Sequence, residues 1–250
     1  MFTSTIIPYF SLGPLTIRYY GLLFFIGFLL GYLVVRKVAE QNALGKETID
    51  DFLPFAMIGA IIGIRLFHVF VYSWDYFSKN PIEILYFWQG GLSSHGAVIG
   101  MAITIYLFTK YKKIPFHKLS DTLVIGAPLT ALFVRLGNFT NGEIVGKISQ
   151  LPWAIKFPNF QGFRHPTMLY MASYHGLIFL TLNKLNKLKL KQGILTWIFI
   201  ALFSTFRFLI EFTKDPAIDL FYNVLTAAQY WSLAFLIISL VMLYKIKNEK

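Results

Sequence analysis

The sequence IRYYGLLFFIGFLLGYLVV occupies residues 17–35 and contains a single charged side chain, Arg18. As a helix, a run of this length crosses a hydrocarbon layer of about 30 Å. Six further apolar runs follow it, each bounded by charges or turn residues, so we predict seven membrane spans. The predicted spans cover residues 17–35, 52–72, 92–109, 122–139, 167–182, 194–212 and 226–244.

The composition of the whole chain also indicates a membrane protein. Of the 250 residues, 56% are hydrophobic and 14% are charged, whereas soluble domains have about 25% charged residues. A soluble domain of this length could not bury so many apolar side chains. We therefore expect an all-α, polytopic helix bundle that forms one integral membrane domain over residues 1–250.

Basic residues alternate between dense and sparse loops. They cluster after the first, third, fifth and seventh predicted spans, and the net charge of the chain is +11. Loops rich in Lys and Arg stay in the cytoplasm, so we predict the N-terminus outside and the C-terminus in the cytoplasm. The positive charge then sets topology and attracts anionic lipid, and it does not indicate a nucleic-acid partner.

The longest connection outside the predicted spans covers residues 140–166. It carries Trp153, Phe157, Phe160 and Phe163, and aromatic residues of this kind favour the membrane–water interface. We predict that this segment forms a small extracytoplasmic head on the lipid surface.

Four basic residues lie within or at the edge of the spans, and all four are arginines: Arg18, Arg65, Arg135 and Arg207. Burying an arginine in a bilayer costs at least about 2.5–3.5 kcal/mol, so a favourable interaction has to offset that cost. The alternative is that each arginine reaches the interface from a helix end. That alternative is weakest for Arg135 and Arg207, because other polar residues surround them in the sequence.

Two of these arginines stand in polar clusters. The sequence RLGNFTNGEIVG covers residues 135–146, and a helix would place Arg135 and Asn138 on one face. The sequence RFLIE covers residues 207–211 and sets Arg207 and Glu211 four residues apart. Glu211 either neutralises Arg207 in a structural ion pair or helps to bind a ligand.

A third cluster, GGLSSHG at residues 90–96, leads into the third span and contains His95. Such a histidine is either a hydrogen-bond partner between helices or a catalytic base. By the predicted topology all three clusters lie near the outer leaflet, as do Tyr19 and Tyr20. The planar guanidinium of arginine suits phosphate oxygens, so the sequence predicts chemistry on a phospholipid headgroup.

The chain resembles the prolipoprotein diacylglyceryl transferases, enzymes of the bacterial inner membrane that lipidate lipoprotein precursors. The resemblance covers nearly the whole chain, and its motifs occur in the family's order. It rests on IRYYG at 17–21, WQGGLSSHG at 88–96, RLGNFTNGEIVG at 135–146 and RFLIEF at 207–212, followed by Asp215 and Pro216.

The resemblance implies that a diacylglyceryl group passes from phosphatidylglycerol to the thiol of a lipobox cysteine, which forms a thioether and releases glycerol phosphate. This reaction is the first step of lipoprotein maturation. The nucleophilic sulfur belongs to the substrate, which agrees with a chain that has no cysteine. The implied partners are phosphatidylglycerol, prolipoprotein signal peptides and the lipid bilayer, with no nucleic acid, cofactor or metal.

Position in these motifs implies a role for each candidate residue. Arg135 and Arg207 bind the phosphate and stabilise the charge that it gains, and His95 is the candidate base for the thiol. A thiolate stabilised by an arginine is the alternative to that base. Glu211 orients Arg207. The remaining candidates for substrate binding are Tyr20, Asn138, Asn141, Glu143 and Gly146.

The sequence departs from the family pattern at a few positions. Met168 and Met171 stand where the family has Gln and Glu. In the seventh span, Gln229 lacks the usual preceding Gly, and no Pro follows Ser232. Val134 replaces a Gly before Arg135. The arginines, the histidine and the Asn/Glu set are intact, so we expect an active enzyme.

Two other classes of protein are alternatives to an enzyme. A transporter or flippase of anionic lipids would use the same arginines for binding without chemistry, but the sequence lacks visible inverted repeats. A receptor or retinal-type pump of seven helices is disfavoured, because the seventh span has no internal lysine for a Schiff base.

Overall fold

The computed structural model describes residues 2–90, 94–214, 220–221 and 225–248, with the backbone alone for residues 89, 94, 95, 220 and 221. The chain forms two compact units. The larger unit contains Met1–Val35 and Asp121–Lys250, and the smaller unit contains Arg36–Ser120.

Helices make up most of the described residues, and each predicted span coincides with a long helix. A helix of one turn, α3, follows the second span. The helices are α1 (Tyr19–Gln41), α2 (Lys46–Phe67), α3 (Trp74–Phe77), α4 (Ser94–Lys112), α5 (Phe116–Asn141), α6 (Thr167–Asn186), α7 (Ile194–Glu211) and α8 (Ala227–Asn248).

Five helical segments of the described chain are long and apolar enough to cross a membrane. They are Tyr19–Gln41, Lys46–Tyr72, Phe116–Asn141, Ile194–Glu211 and Ala227–Asn248. The second of them includes a π-helical turn, His68–Tyr72, that continues α2. The prediction of a helical protein with several apolar spans is confirmed in this form.

The helices α4 and α6, predicted as the third and fifth spans, do not belong to that set. In α6, eight side chains are buried, among them the polar Thr167 and His175. Polar side chains on α6 thus face other parts of the protein, which explains why the sequence of this helix is less hydrophobic than a lipid-facing span.

Short strands add to the helices, which the all-α prediction did not include. The hairpin β2 (Tyr9–Leu12) and β3 (Leu15–Arg18) precedes α1 directly. The predicted head contains β4 (Ile155–Lys156) and β5 (Phe163–Arg164), and the N-terminal β1 (Phe2–Thr3) pairs in parallel with β4. A last pair, β6 (Leu220–Phe221) and β7 (Leu225–Thr226), precedes α8.

In the larger unit, α5 packs closely against α1. Gly27 and Gly31, four residues apart, lie where any side chain would collide with Thr130 or Phe133 of α5. The paired glycines thus permit close packing of the two helices.

Asp121 near the start of α5 caps the N-terminus of α7. Its Oδ2 accepts a hydrogen bond of 2.6 Å from the backbone N–H of Gly193, and its Oδ1 accepts one of 2.8 Å from that of Thr196. The hydroxyl of Thr196 also donates to Oδ1. A buried carboxylate is thereby satisfied by the free N–H groups of a helix end.

The start of α8 is a reciprocal cap. The N–H of Thr226 donates to Oε1 of Gln229 over 3.0 Å, and the N–H of Gln229 donates to the Thr226 hydroxyl over 3.2 Å. This is a capping box. It explains why Gln229 is buried. Gln229 is the residue that lacks the preceding Gly of the family pattern.

The smaller unit is built on a close crossing of α2 and α4. The backbones of Gly59 and Gly63 meet those of Gly96 and Gly100, with no space for a Cβ atom at the crossing. In this unit Arg65 is buried, and it donates to the backbone carbonyls of Glu83, Ile84 and Gly90. Arg65 therefore ties the loop after α3 to α2.

Candidate active site

Arg135, near the C-terminal end of α5, begins a chain of hydrogen bonds. Its Nη1 donates to Oδ1 of Asn138 over 3.1 Å, so the predicted shared face is confirmed. The amide nitrogen of Asn138 donates to Oε2 of Glu143 over 2.8 Å, and that of Asn141 donates to Oε1 over 3.0 Å. Both oxygens of the Glu143 carboxylate are thus held by amides, and Asn138 links it to Arg135.

The backbone after α5 brings Glu143 back to the helix. Gly142 has a φ of +65°, in the left-handed region that glycine adopts without strain. The turn is closed by a hydrogen bond of 3.0 Å from the N–H of Glu143 to the carbonyl of Asn138. The sequence Asn-Gly-Glu therefore places a carboxylate against Asn138, the hydrogen-bond partner of the arginine.

Arg135 lies in an electrostatic environment built by four helices of the larger unit. It lies near Arg207 of α7, Tyr174 of α6 and Tyr20 of α1. Tyr20 reaches this place because Gly137 lies beneath it: a Cβ atom at 137 would come within 2.9 Å of Cδ2 of Tyr20. Tyr174 is buried and stacks on Phe206 with parallel rings 5.3 Å apart.

Arg207 lies one turn before the end of α7 and pairs with Glu211, as the four-residue spacing predicts. Lys214 contacts the same carboxylate, with 3.2 Å between its Nζ and Oε2 of Glu211. The Glu211 side chain is 8% exposed, and those of Arg207 and Lys214 are 25% and 22% exposed. Burial lowers the pKa of Lys214, and the charge of Arg207 lowers it further, against the opposing effect of Glu211.

Lys214 was not among the residues predicted for the site, because its place after the sixth span suggests an ordinary loop charge. The sequence feature that could have identified Lys214 is its spacing from Glu211. Residues three apart are neighbours on a helix surface, so Glu211 and Lys214 repeat the relation that singled out Arg207 and Glu211.

Gly146 joins the Glu143 turn to the end of α7. Its N–H donates to the carbonyl of His165 over 2.9 Å, and the next residue, Lys147, donates to the carbonyl of Thr213 over 2.9 Å. A Cβ atom at 146 would overlap that carbonyl and the side chains of Thr167 and His165. The glycine thus permits close packing that sets the two polar clusters near each other.

The catalytic candidate His95 is the second residue of α4, in the smaller unit. Its side chain lies outside the described residues, as do Gly91, Leu92 and Ser93 before it and Asp215 and Pro216 after Arg207. Its role as a base stays a prediction.

The remaining arginines of the predicted spans have other settings. Arg18 is exposed in β3, and Arg65 binds backbone carbonyls. Of the four, Arg135 and Arg207 are the pair that shares one site.

The arrangement is suited to a phosphate. Arg207 and Lys214 contact the Glu211 carboxylate. Arg135 is linked to a second carboxylate through Asn138, and its Nε is buried without a hydrogen-bond partner among the described residues. Donors of this kind bind phosphate oxygens and stabilise negative charge that develops on them. Within the described part of the chain, no three His, Asp or Glu side chains are grouped as metal ligands.

Comparison with known proteins identifies the family. The sequence matches the prolipoprotein diacylglyceryl transferase family over residues 8–245. The chain belongs to this family. Phosphatidylglycerol–prolipoprotein diacylglyceryl transferases of Tolumonas auensis and Geobacter sulfurreducens are 37% and 34% identical to it, over 96% and 97% of this chain and 95% of each relative. One from a Wolbachia pipientis strain is 34% identical over 93% of the chain and 92% of that relative.

Two departures from the prolipoprotein diacylglyceryl transferase pattern are accommodated by packing. Met168 and Met171 are almost completely buried. Met168 lies in an apolar cluster with Ile155 and Phe157 of the head. Methionine fits irregular apolar space, so Met168 joins the head to α6 through apolar contacts in this chain.

Proposed function

We propose that this chain transfers the diacylglyceryl group of phosphatidylglycerol to the thiol of a lipobox cysteine in prolipoproteins. The observation that carries the proposal is its similarity, over nearly its whole length, to transferases that bear the names of both substrates. The paired arginines of α5 and α7 support it independently, because the donor lipid carries a phosphate.

The reaction is a substitution at a glycerol carbon of the lipid. The cysteine sulfur forms a C–S bond to that carbon while the C–O bond to the phosphate breaks, and the bonding electrons leave with the phosphate oxygen. The thiol proton is lost before or during the attack, since the thiolate is the nucleophile. The products are a thioether and glycerol phosphate, and the phosphate gains one negative charge.

The residues of the site divide these tasks. Arg135 and Arg207 bind the phosphate and stabilise its added charge, and Glu211 orients Arg207. Asn138, Asn141 and Glu143 hold Arg135 in place, while Tyr20 and Gly146 shape the lipid site. His95 accepts the thiol proton, because an imidazole titrates near neutral pH.

The proposal places the chain in the bacterial cytoplasmic membrane with seven spans, the N-terminus outside and the C-terminus inside. Its support is the distribution of basic loops and the agreement of seven long helices with seven apolar runs in the described chain. The head at 140–166 then lies on the outer surface of the membrane.

The test is turnover by purified protein in detergent with phosphatidylglycerol and a lipobox peptide. We expect the peptide to gain the mass of one diacylglyceryl group and an equal amount of glycerol phosphate to appear. A peptide with serine in place of the cysteine is the control and gains no mass. Lipid binding without release of glycerol phosphate would instead support the anionic-lipid transporter.

A further inference from the structure

Two cations share one carboxylate oxygen at the end of α7. Nη1 of Arg207 donates to Oε2 of Glu211, and Nζ of Lys214 lies 3.2 Å from the same atom. The backbone holds Lys214 in this position, because its own N–H donates to the carbonyl of Glu211 and the preceding Thr213 accepts from Lys147 of the head.

This sharing matters when a phosphate binds. A phosphate bound by Arg207 competes with Glu211 for the donors of the guanidinium, so the Glu211 side chain, 8% exposed, is less fully neutralised while it still orients Arg207. A buried carboxylate that is only partly neutralised is unfavourable and would also repel the phosphate. Lys214 already contacts Glu211, and its positive charge offsets both unfavourable effects.

We propose that Lys214 is a positioning residue that keeps Glu211 neutralised while Arg207 binds the phosphate of the donor lipid. The inference rests on the proposed function and adds to it. Lys214 acts through Glu211, so its loss strengthens the hold of Glu211 on Arg207 and weakens lipid binding.

The charged groups around Lys214 come from several elements. Arg207 and Glu211 lie on α7, the charge of Arg135 reaches it from α5, and the head contributes Lys147, whose side chain is exposed. Burial and the charge of Arg207 lower the pKa of Lys214. Its positive charge is therefore lost at a lower pH than that of an exposed lysine.

The first experiment compares three variants in the turnover assay. We expect K214M to raise KM for phosphatidylglycerol about fivefold, the scale of losing one ion pair, with a smaller change in kcat. K214R retains a cation and should stay near the wild-type KM. The control K156M removes an exposed lysine of the head and should leave both constants unchanged. An unchanged KM in K214M would overturn the proposal.

The second experiment uses pH and does not depend on how well K214M folds. As pH rises towards 10, Lys214 loses its proton whereas an arginine keeps its charge. The ratio of kcat/KM in K214R to that in wild type should therefore rise with pH, and the ionisation of the peptide thiol cancels in this ratio. Coincident profiles would overturn the proposal. An inactive wild-type protein would instead refute the proposed function itself.

Discussion

Tyr20 lies directly over the backbone of Gly137. A Cβ atom at position 137 would come within 2.9 Å of Cδ2 and 3.3 Å of Cα of Tyr20. The contact joins α1 to α5 two residues from Arg135, so the absence of a side chain at 137 lets Tyr20 approach the end of α5 that carries this arginine.

The first prediction concerns this contact. We expect G137A to lower kcat/KM for phosphatidylglycerol at least tenfold, because Cα of Tyr20 cannot move without shifting α1. The matched control is G21A, next to Tyr20, where an added Cβ has open space within 4 Å. That control should be as active as wild type. Equal activity in the two variants would show that the position of Tyr20 is unimportant.

Asp121 provides a prediction about stability. D121N places an NH₂ group against a backbone N–H donor at the start of α7, which we expect to cost about 2 kcal/mol. The thermal midpoint of the detergent-solubilised protein should fall clearly. The control D51N alters an exposed carboxylate paired with Lys112 and should change it little. A midpoint equal to that of wild type would mean that the cap contributes nothing.

The two arginines of the site should not tolerate lysine. R135K and R207K each replace a planar fork by a point charge, and we expect turnover to fall at least 100-fold, the scale of losing one donor to developing charge. R18K alters an exposed arginine before α1 and serves as the control, with near-normal turnover. Near-normal turnover in R207K would remove its phosphate role.

His95 is tested by pH. If it takes the thiol proton, H95N should be slow at neutral pH and recover towards wild type above about pH 8.5, where a cysteine thiol ionises unaided. The rate of the lipobox peptide is measured from pH 6 to pH 10 for both proteins. A deficit that stays the same at high pH would assign His95 a structural role between helices.

The long helices were predictable because each buries or exposes a run of apolar residues. The ends of the helices were harder to predict. The first span was predicted to end at Val35, whereas α1 continues to Gln41. Arg36 makes this extension favourable by pairing with Asp50, at distances of 2.7 and 2.8 Å. A partner fourteen residues away leaves no periodic signal.

The short strands could not be predicted from sequence patterns, for a similar reason. Strand β1 pairs with β4 across more than 150 residues, with two residues on each side, too few to show alternation. The site was predicted where its spacing is local, as for Arg135 and Asn138. Its tertiary contacts, such as Tyr20 over Gly137, depend on how helices meet, which local spacing does not record.

The cap that Asp121 makes on α7 has a mechanical consequence. It pins α5 and α7 together at one end, while Arg135 lies roughly 20 Å farther along α5 and Arg207 roughly 16 Å farther along α7, at 1.5 Å per residue. Because α5 and α7 are joined at one end, their other ends can separate by rotation about the cap and not by sliding. A tilt of only about 5° at this pivot would change the separation of the two arginine positions by about 2 Å, while the cap keeps the register of the two helices fixed.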